Sequence, residues 1–599
     1  MNPTQTHSRQ FLEQAIDAEI KTFEESIRAL KLRRNALQPI SYFPPEIFAA
    51  IFSFLSLPGI PSLGGTPALN LTRFRISHVC HQWREIALNQ PQLWSYVDFN
   101  AVSLAGAAEI LVRAKSVPLY MEIRTSSRDY RFGLFLKEAQ AHLPQIRHLS
   151  IGAESFGLIH GQLENALVSP APTLEYLSLF FHDDENRRLA GRLVIPDLPV
   201  IHALFGGSTP RLSCLKLRNC NIGWDSPLFK GLRYLEILKP HEMARPTLAV
   251  WLDTLGEIPQ LRTLTLRSAS PVAAHFPFDV KRTVTLPSLT HLDISASLPD
   301  CALASAHLDL PALTSLRLTA IDPPTNASSV QQCLPYVVRH VNGPQDDQPL
   351  QSVLIRNRGY YLELLAWPVP DIDTLVHDPP SFLGVTLPTR VKLSFRSEDD
   401  DHHKIFEIMM TTLPLDGLLT LVAVDLQEQS KYSQDLTMQQ FWLPLSPNLP
   451  VLRRVRLGDM SSPGFIQALL EDDGGCENPL FPSLTALALH ASFFDDWPLR
   501  LCDTLMKRVE QRVPLETLDL LMWYMYPYNP VTVRLFNEIV ADVLYPLYFL
   551  GREDLEDADD EERCGTGRKM LDKMVSLWSP LSLLPFSDDD NEETEEDDF

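Results

Sequence analysis

This chain lacks the features that usually announce chemistry. Among its 599 residues there is no G-x-x-x-x-G-K-[ST] phosphate loop, no G-x-S-x-G elbow and no H-E-x-x-H pair. The GTGRK stretch at Gly565 is too short for a phosphate loop and follows no strand signal. Eight cysteines are scattered, with no C-x-x-C and no Cys/His spacing that would hold zinc. Asp401-His402-His403 and Asp495-Asp496 read as a solvated loop and helix-start charges. No apolar run is long enough to span a bilayer, and MNPTQTHSRQ has no signal-peptide core. These absences lead to the expectation of an intracellular, reducing location and a non-catalytic protein. No catalytic residue, metal or cofactor is expected.

Basic residues are also scarce, 52 against 75 acids. Of the net charge of −23, eight acids lie in Glu553–Glu562 and nine in Asp588–Asp598, leaving −6 for the rest. Blocks of this kind are solvated and cannot offset the entropy of ordering. Residues 551–599 therefore read as an acidic, largely disordered tail, and the chain offers no nucleic-acid surface.

What is present begins near the N-terminus. Over Phe11–Leu37, Ile16, Ile20, Phe23, Ile27, Leu30 and Leu37 alternate spacings of four and three, with Arg34 at one seam position. That is the pattern of a coiled coil, or of a single helix lying against the next module (residues 1–38).

Residues 39–99 form a second segment. Pro44 and Pro45 suit a helix start, and Glu46 sits in its first turn. Ile47, Ile51 and Leu55 recur at helical spacing, with Phe48 and Phe52 beside them. The apolar stripe is wider than one short helix can bury. Ile76, Val79, Cys80, Trp83, Ile86 and Ala87 are spaced for one face of a further helix, and Pro91 and Trp94 close a third element.

The Phe43-Pro44 entry and the Val79-Cys80-x-x-Trp83 stretch resemble the F-box, in the form found in basidiomycete F-box proteins. The resemblance covers about a tenth of the chain and departs from the pattern at Leu57–Thr72, a Pro- and Gly-rich insertion. It implies docking onto a Skp-family adaptor, and through it a cullin, by helix-in-groove packing. On this likeness the adaptor-binding residues are Phe43, Pro44, Glu46, Ile47, Ile51, Phe52, Val79, Cys80 and Trp83. A plain α-helical start to a larger domain remains the alternative.

From Pro118 onward a unit recurs, Pro-x-Leu-x-x-Leu-x-Leu, often with an apolar residue before the proline. Its copies are Ile146-Leu149-Ile151, Leu174-Leu177-Leu179, Leu212-Leu215-Leu217, Leu232-Leu235-Ile237, Leu261-Leu264-Leu266, Leu289-Leu292-Ile294, Leu313-Leu316-Leu318, Leu350-Val353-Ile355, Leu452-Val455-Leu457, Leu484-Leu487-Leu489 and Leu515-Leu518-Leu520. The unit resembles the leucine-rich repeat, and Leu212 through Cys220 and Ile222 makes one complete copy. Helices are expected at Pro246–Leu255, Trp497–Arg512, Asn529–Leu550 and Met570–Trp578, and no regular repeat between Asp322 and Gln440. The expected fold class is α/β: an N-terminal helical module followed, over 100–550, by a degenerate solenoid of short parallel strands and helices.

In such a repeat the residue after the second strand leucine faces the open side of the sheet. Here Arg218, Arg267, Arg356 and Arg396 take that place, and Lys216, Arg317 and Arg456 fall one register earlier. These seven are the substrate-binding candidates, suited to an acidic or phosphorylated protein segment. The chain's own acidic tail could compete for them, and exposed strand positions also simply tolerate charge. The reading is a substrate-recognition subunit of a Skp–cullin–F-box ubiquitin ligase. The alternative is an interaction scaffold with no part in ubiquitylation.

Overall fold

In the computed structural model the described residues are 3–56, 72–125, 131–153, 156–181, 201, 204–240, 245–273, 281–322, 327–341, 349–358, 361–370, 389–396, 402–425, 442–458, 462–470, 479–489, 497–520 and 530–544. The insertion at 57–71, both acidic blocks and the expected helix at 570–578 lie outside them. The chain divides into two compact units, residues 1–246 and 247–599.

The first unit opens with helix α1 (Pro3–Ala36), then α2 (Pro45–Ser56), α3 (Thr72–Ser77) and α4 (His81–Leu88). A 3₁₀ turn at Pro91–Trp94 leads into strand β1 (Tyr96–Asp98). There follow α5 (Leu104–Ala114), β2 (Leu119–Thr125), α6 (Phe132–His142), β3 (Ile146–Ala153), α7 (Phe156–Ala166), β4 (Tyr176–Phe181), β5 (Cys214–Arg218) and β6 (Tyr234–Leu238). The six strands pair in chain order, all parallel. Along β4 and β5 buried residues alternate with half-buried or exposed ones, so one face takes the leucines and the helices and the other stays open.

The second unit holds β7 (Thr263–Arg267), β8 (Val284–Thr285), β9 (His291–Ala296), β10 (Leu308–Asp309), β11 (Ser315–Ala320), β12 (Ser352–Arg358), β13 (Tyr361–Trp367), β14 (Val391–Arg396), β15 (Thr420–Asp425), β16 (Arg454–Leu457), β17 (Ala486–Leu489), β18 (Thr517–Asp519) and β19 (Asp542–Leu544). Its helices include Leu248–Gly256, Leu298–Ala306 and Trp497–Glu510. The helix expected over 529–550 is shorter, Pro530–Ile539, because the chain then turns into β19.

The recurring proline has a physical role. In seven copies the first leucine donates its N–H to the carbonyl three residues back, at 3.1–3.3 Å: Leu174 to Ala171, Leu212 to Thr209, Leu261 to Ile258, Leu289 to Leu286, Leu313 to Leu310, Leu452 to Leu449 and Leu484 to Phe481. Proline is thus the second residue of a β-turn, where its fixed φ is favourable and no N–H is needed. The residue before it is buried in every case, which explains the apolar preference there. After the leucine, Ser and Thr hydroxyls reach the preceding repeat, as Thr290 does to the Arg262 carbonyl (3.1 Å) and Thr314 to that of Thr290 (2.9 Å). Buried Arg508 closes one such turn by donating to the carbonyls of Leu480, Phe481 and Leu484.

The middle departs from a simple array. β14, not β12, pairs with β11; β13 runs antiparallel between β14 and β12; and β12 pairs in parallel with β15. So the copy at Leu350-Val353-Ile355 is a strand of the sheet, but out of spatial sequence. The cause is connection length. Only Gly359 and Tyr360 separate β12 from β13, and a parallel crossover needs a dozen residues or more. At this meander the face left open elsewhere turns apolar. Leu354, Trp367 and Val422 form a small buried cluster with Leu365 and Val369.

Beside that cluster the carboxylate of Glu363 receives Arg356 (2.7 Å) and Lys392 (2.8 Å). Burial alone would raise its pKa, but Lys392 and Arg356 outweigh it and hold the group below its ordinary 4.5. Its contribution is therefore complete above pH 4.5 and lost as pH falls below that value. Glu363→Ala leaves two partly buried cations without a counter-charge. We expect a loss of about 2 kcal/mol at neutral pH, smaller at pH 3, measured by denaturant unfolding.

Candidate protein-interaction site

Helix α2 splits its wide apolar stripe into two faces. Phe48 and Phe52 are 1 % and 0 % exposed, while Ile47, Ile51 and Phe54 are 45 %, 42 % and 78 % exposed. The buried pair packs on Trp83 of α4, with ring centroids 5.5 Å (Phe48) and 5.2 Å (Phe52) away, and Phe43 meets Phe48 edge-on at 6.5 Å. The inner rings hold the helices together, and the outer residues form a row at i, i+4 and i+7 with no cover among the described residues. Exposed Ile40 and Phe43 precede it. An apolar row of this kind is a docking surface for a complementary groove.

The segment Ile76–Ala87 is not one helix, as its spacing suggested. The chain breaks at His78-Val79-Cys80. Cys80 caps α4, its Sγ accepting from the Trp83 N–H at 3.5 Å. The break turns Val79 outward, 59 % exposed, while Ile76 stays buried. Of the nine expected adaptor-binding residues, Phe43, Pro44, Glu46, Ile47, Ile51 and Val79 are exposed. Cys80 and Trp83 are half-buried, and Phe52 lies in the core, where it shapes the module instead of presenting itself. Phe54 escaped the sequence reading, although its place seven residues after Ile47 marks it as part of the same row.

The module is joined to the sheet through Trp94, which is fully buried and donates its indole N–H to the Ala87 carbonyl at 2.8 Å. The Arg113 guanidinium lies 4.7 Å from its ring and that of Arg73 5.9 Å. Arg73, 3 % exposed, also donates to the Tyr96 carbonyl in β1. Burial lowers its pKa to about 10, so it remains a cation at neutral pH.

Residues 40–100 match the F-box-like family. The chain carries an F-box-like domain. The match runs through β1 and ends two residues beyond it, so the domain includes the sheet's first strand. No curated protein matches the chain. No helix among the described residues is long and apolar enough to cross a membrane, and no group of three potential metal ligands occurs among them.

The basic candidates are divided between the two units. Lys216 and Arg218 belong to the first unit and the other five to the second. Arg218, Arg267, Arg317 and Arg396 are exposed, and Arg356 and Arg456 half-buried. Lys216 already meets Glu236 at 3.5 Å and the Tyr234 ring at 5.0 Å, and Arg356 is held by Glu363. What the sequence reading missed is a ring-bearing row across the F-box-like domain's own unit. Tyr96, Tyr120, His148, Tyr176, Cys214 and Tyr234 stand in register on β1–β6. The signal was available, since each precedes an inward apolar residue of its strand.

Next to this row, Glu122 accepts from the Tyr96 hydroxyl and pairs with Arg124, and the Tyr234 hydroxyl donates to Glu236 at 2.6 Å. His148 stacks on Tyr176 with centroids 3.8 Å apart. Burial, and then Lys216, lower the His148 pKa from 6.5 to about 4, so the ring is neutral at pH 7. The unfolded chain takes up this proton first, so stability is complete above pH 6.5 and declines as pH falls toward 4. We expect His148→Phe to reduce the stability difference between pH 7 and pH 5 by roughly 1–2 kcal/mol in thermal unfolding. An unchanged pH profile would remove His148 as a cause.

Proposed function

We propose that this chain is the substrate-recognition subunit of a Skp–cullin–F-box ubiquitin ligase. The F-box-like domain docks the Skp-family adaptor, and the strand array, read as a degenerate leucine-rich repeat of the basidiomycete-type F-box proteins, binds the target. The chain itself performs no catalysis. The observation that carries the reading is the exposed row Ile47, Ile51 and Phe54, set on a module whose Phe48, Phe52 and Trp94 rings are packed inward. Phe43 and Val79 are the accompanying anchors, and Glu46 and Pro44 set the helix start.

Fusion of the domain to β1 through Trp94 supports the same reading. A receptor that presents a target to a ligase gains from a fixed geometry between its two binding faces. For the target, exposed Arg218, Arg267, Arg317 and Arg396 favour an acidic or phosphorylated segment. Lys216, Arg356 and Arg456 act with them only where their present neighbours release them.

The test is adaptor capture. Ile47→Asp with Ile51→Asp places two charges in an interface whose best apolar anchors each contribute about 2 kcal/mol or more. Binding to a purified Skp-family adaptor should fall by at least about 100-fold, while the thermal unfolding temperature stays near wild type. Phe52→Ala serves as the opposite control, costing about 3–5 kcal/mol of stability by leaving a cavity between Phe48 and Trp83. Undiminished adaptor capture by the Ile47/Ile51 double variant would refute the assignment.

A further inference from the structure

Helix α1 runs for 34 residues and leaves its apolar seam uncovered. Ile16, Ile20, Phe23, Ile27, Leu30 and Leu37 are each at least half exposed, so the helix does not lie against the neighbouring module. From Ile16 to Leu37 the seam keeps strict four–three spacing, with Ile20 and Ile27 at one core position and Ile16, Phe23, Leu30 and Leu37 at the other. A helix of this kind needs a partner helix along its length.

The charges identify that partner. Asp17, Glu19, Glu24 and Glu25 dominate the first half of the seam region, where Lys21 is the one cation, and Arg28, Lys31, Arg33 and Arg34 fill the second. We infer that α1 pairs with α1 of a second copy of this chain as an antiparallel coiled coil. In the register that places Ile20 opposite Leu30 and Phe23 opposite Ile27, the flanking positions bring Asp17 against Lys31 and Glu19 against Arg33, each twice by symmetry. Seam residue Arg34 falls opposite Ile16, beside Asp17 of the second copy. One like-charge meeting remains, Glu24 against Glu24 at the centre, and Arg28 already lies 3.5 Å from that carboxylate within each helix.

The parallel arrangement aligns more apolar layers but fares worse in its charges. It sets Arg34 against Arg34 in the core, Glu19 against Glu24, and Lys31 against Ser26, so no flanking pair attracts. Antiparallel pairing also has a consequence for the rest of the molecule. The paired segment is about 33 Å long at 1.5 Å per residue. The two F-box-like domains then leave from opposite ends, and both rows of Ile47, Ile51 and Phe54 stay open. The inference concerns residues outside the F-box-like domain and stands whether or not that domain binds an adaptor.

Sedimentation velocity of the full chain over a range of concentrations tests it. The wild type should sediment as a dimer. Ile20→Asp with Ile27→Asp should yield monomers whose unfolding temperature is unchanged, because the seam supports nothing else in the fold. Asp17→Lys should weaken the dimer by about ten-fold at low salt, since two attractive pairs become repulsive. Adding Lys31→Asp to that variant should restore it. In a parallel pair, positions 17 and 31 face Leu12 and Ser26, and neither change would matter. A wild-type monomer at all concentrations, or an Asp17→Lys variant that dimerises as wild type does, would overturn the inference.

Discussion

Trp94 is the side chain on which the first unit's arrangement depends. It is fully buried where the helical module ends and the sheet begins. Its indole N–H satisfies the last turn of α4 at Ala87, and guanidinium groups from α3 and α5 lie against its ring. A buried ring with a satisfied donor and two cations on its faces holds its surroundings in one geometry. Arg73 extends the joint by donating to the backbone of β1. Because β1 pairs in parallel with β2, the exposed row on α2 and the open face of β1–β6 belong to one connected structure.

Beyond that joint a single local rule repeats. A buried residue, a proline, a variable residue and a leucine make a turn, and the leucine's N–H closes it. The strand that follows alternates inward and outward residues and finds its hydrogen-bond partners on the neighbouring strand. The rule holds wherever a turn and a helix or loop return the chain to the same side of the sheet. It fails at β12–β14, where a two-residue connection forces an antiparallel meander, and there apolar residues occupy the usually polar face. Glu363 offsets the charge of Arg356 and Lys392 beside that patch.

Much of this was legible in the sequence. All eleven copies of the leucine unit fall on strands, since period-two burial and the turn proline are both local signals. The meander was not legible, because spatial order depends on which strand a short hairpin displaces, and no residue pattern records that. In the F-box-like domain, helical spacing located the apolar stripe on α2. Phe52 could not be told from Ile51 by type or spacing; only the position of Trp83 decides which of them turns inward. Which of the basic candidates already have a partner was not legible either. Glu236 and Glu363 lie on neighbouring strands, and they already engage Lys216 and Arg356.

Under the proposed function the chain is a connector. In the first unit, α2 offers an apolar row, β1–β6 a parallel-strand face bearing a row of rings, and α1 an uncovered seam. Affinity purification of the tagged full-length chain from its native cells, with quantitative mass spectrometry, tests that role most directly. The account predicts a Skp-family adaptor and a cullin in near-equal amounts with the bait. Recovery of other partners with neither adaptor nor cullin would contradict it, and would leave the chain a scaffold without a role in ubiquitylation.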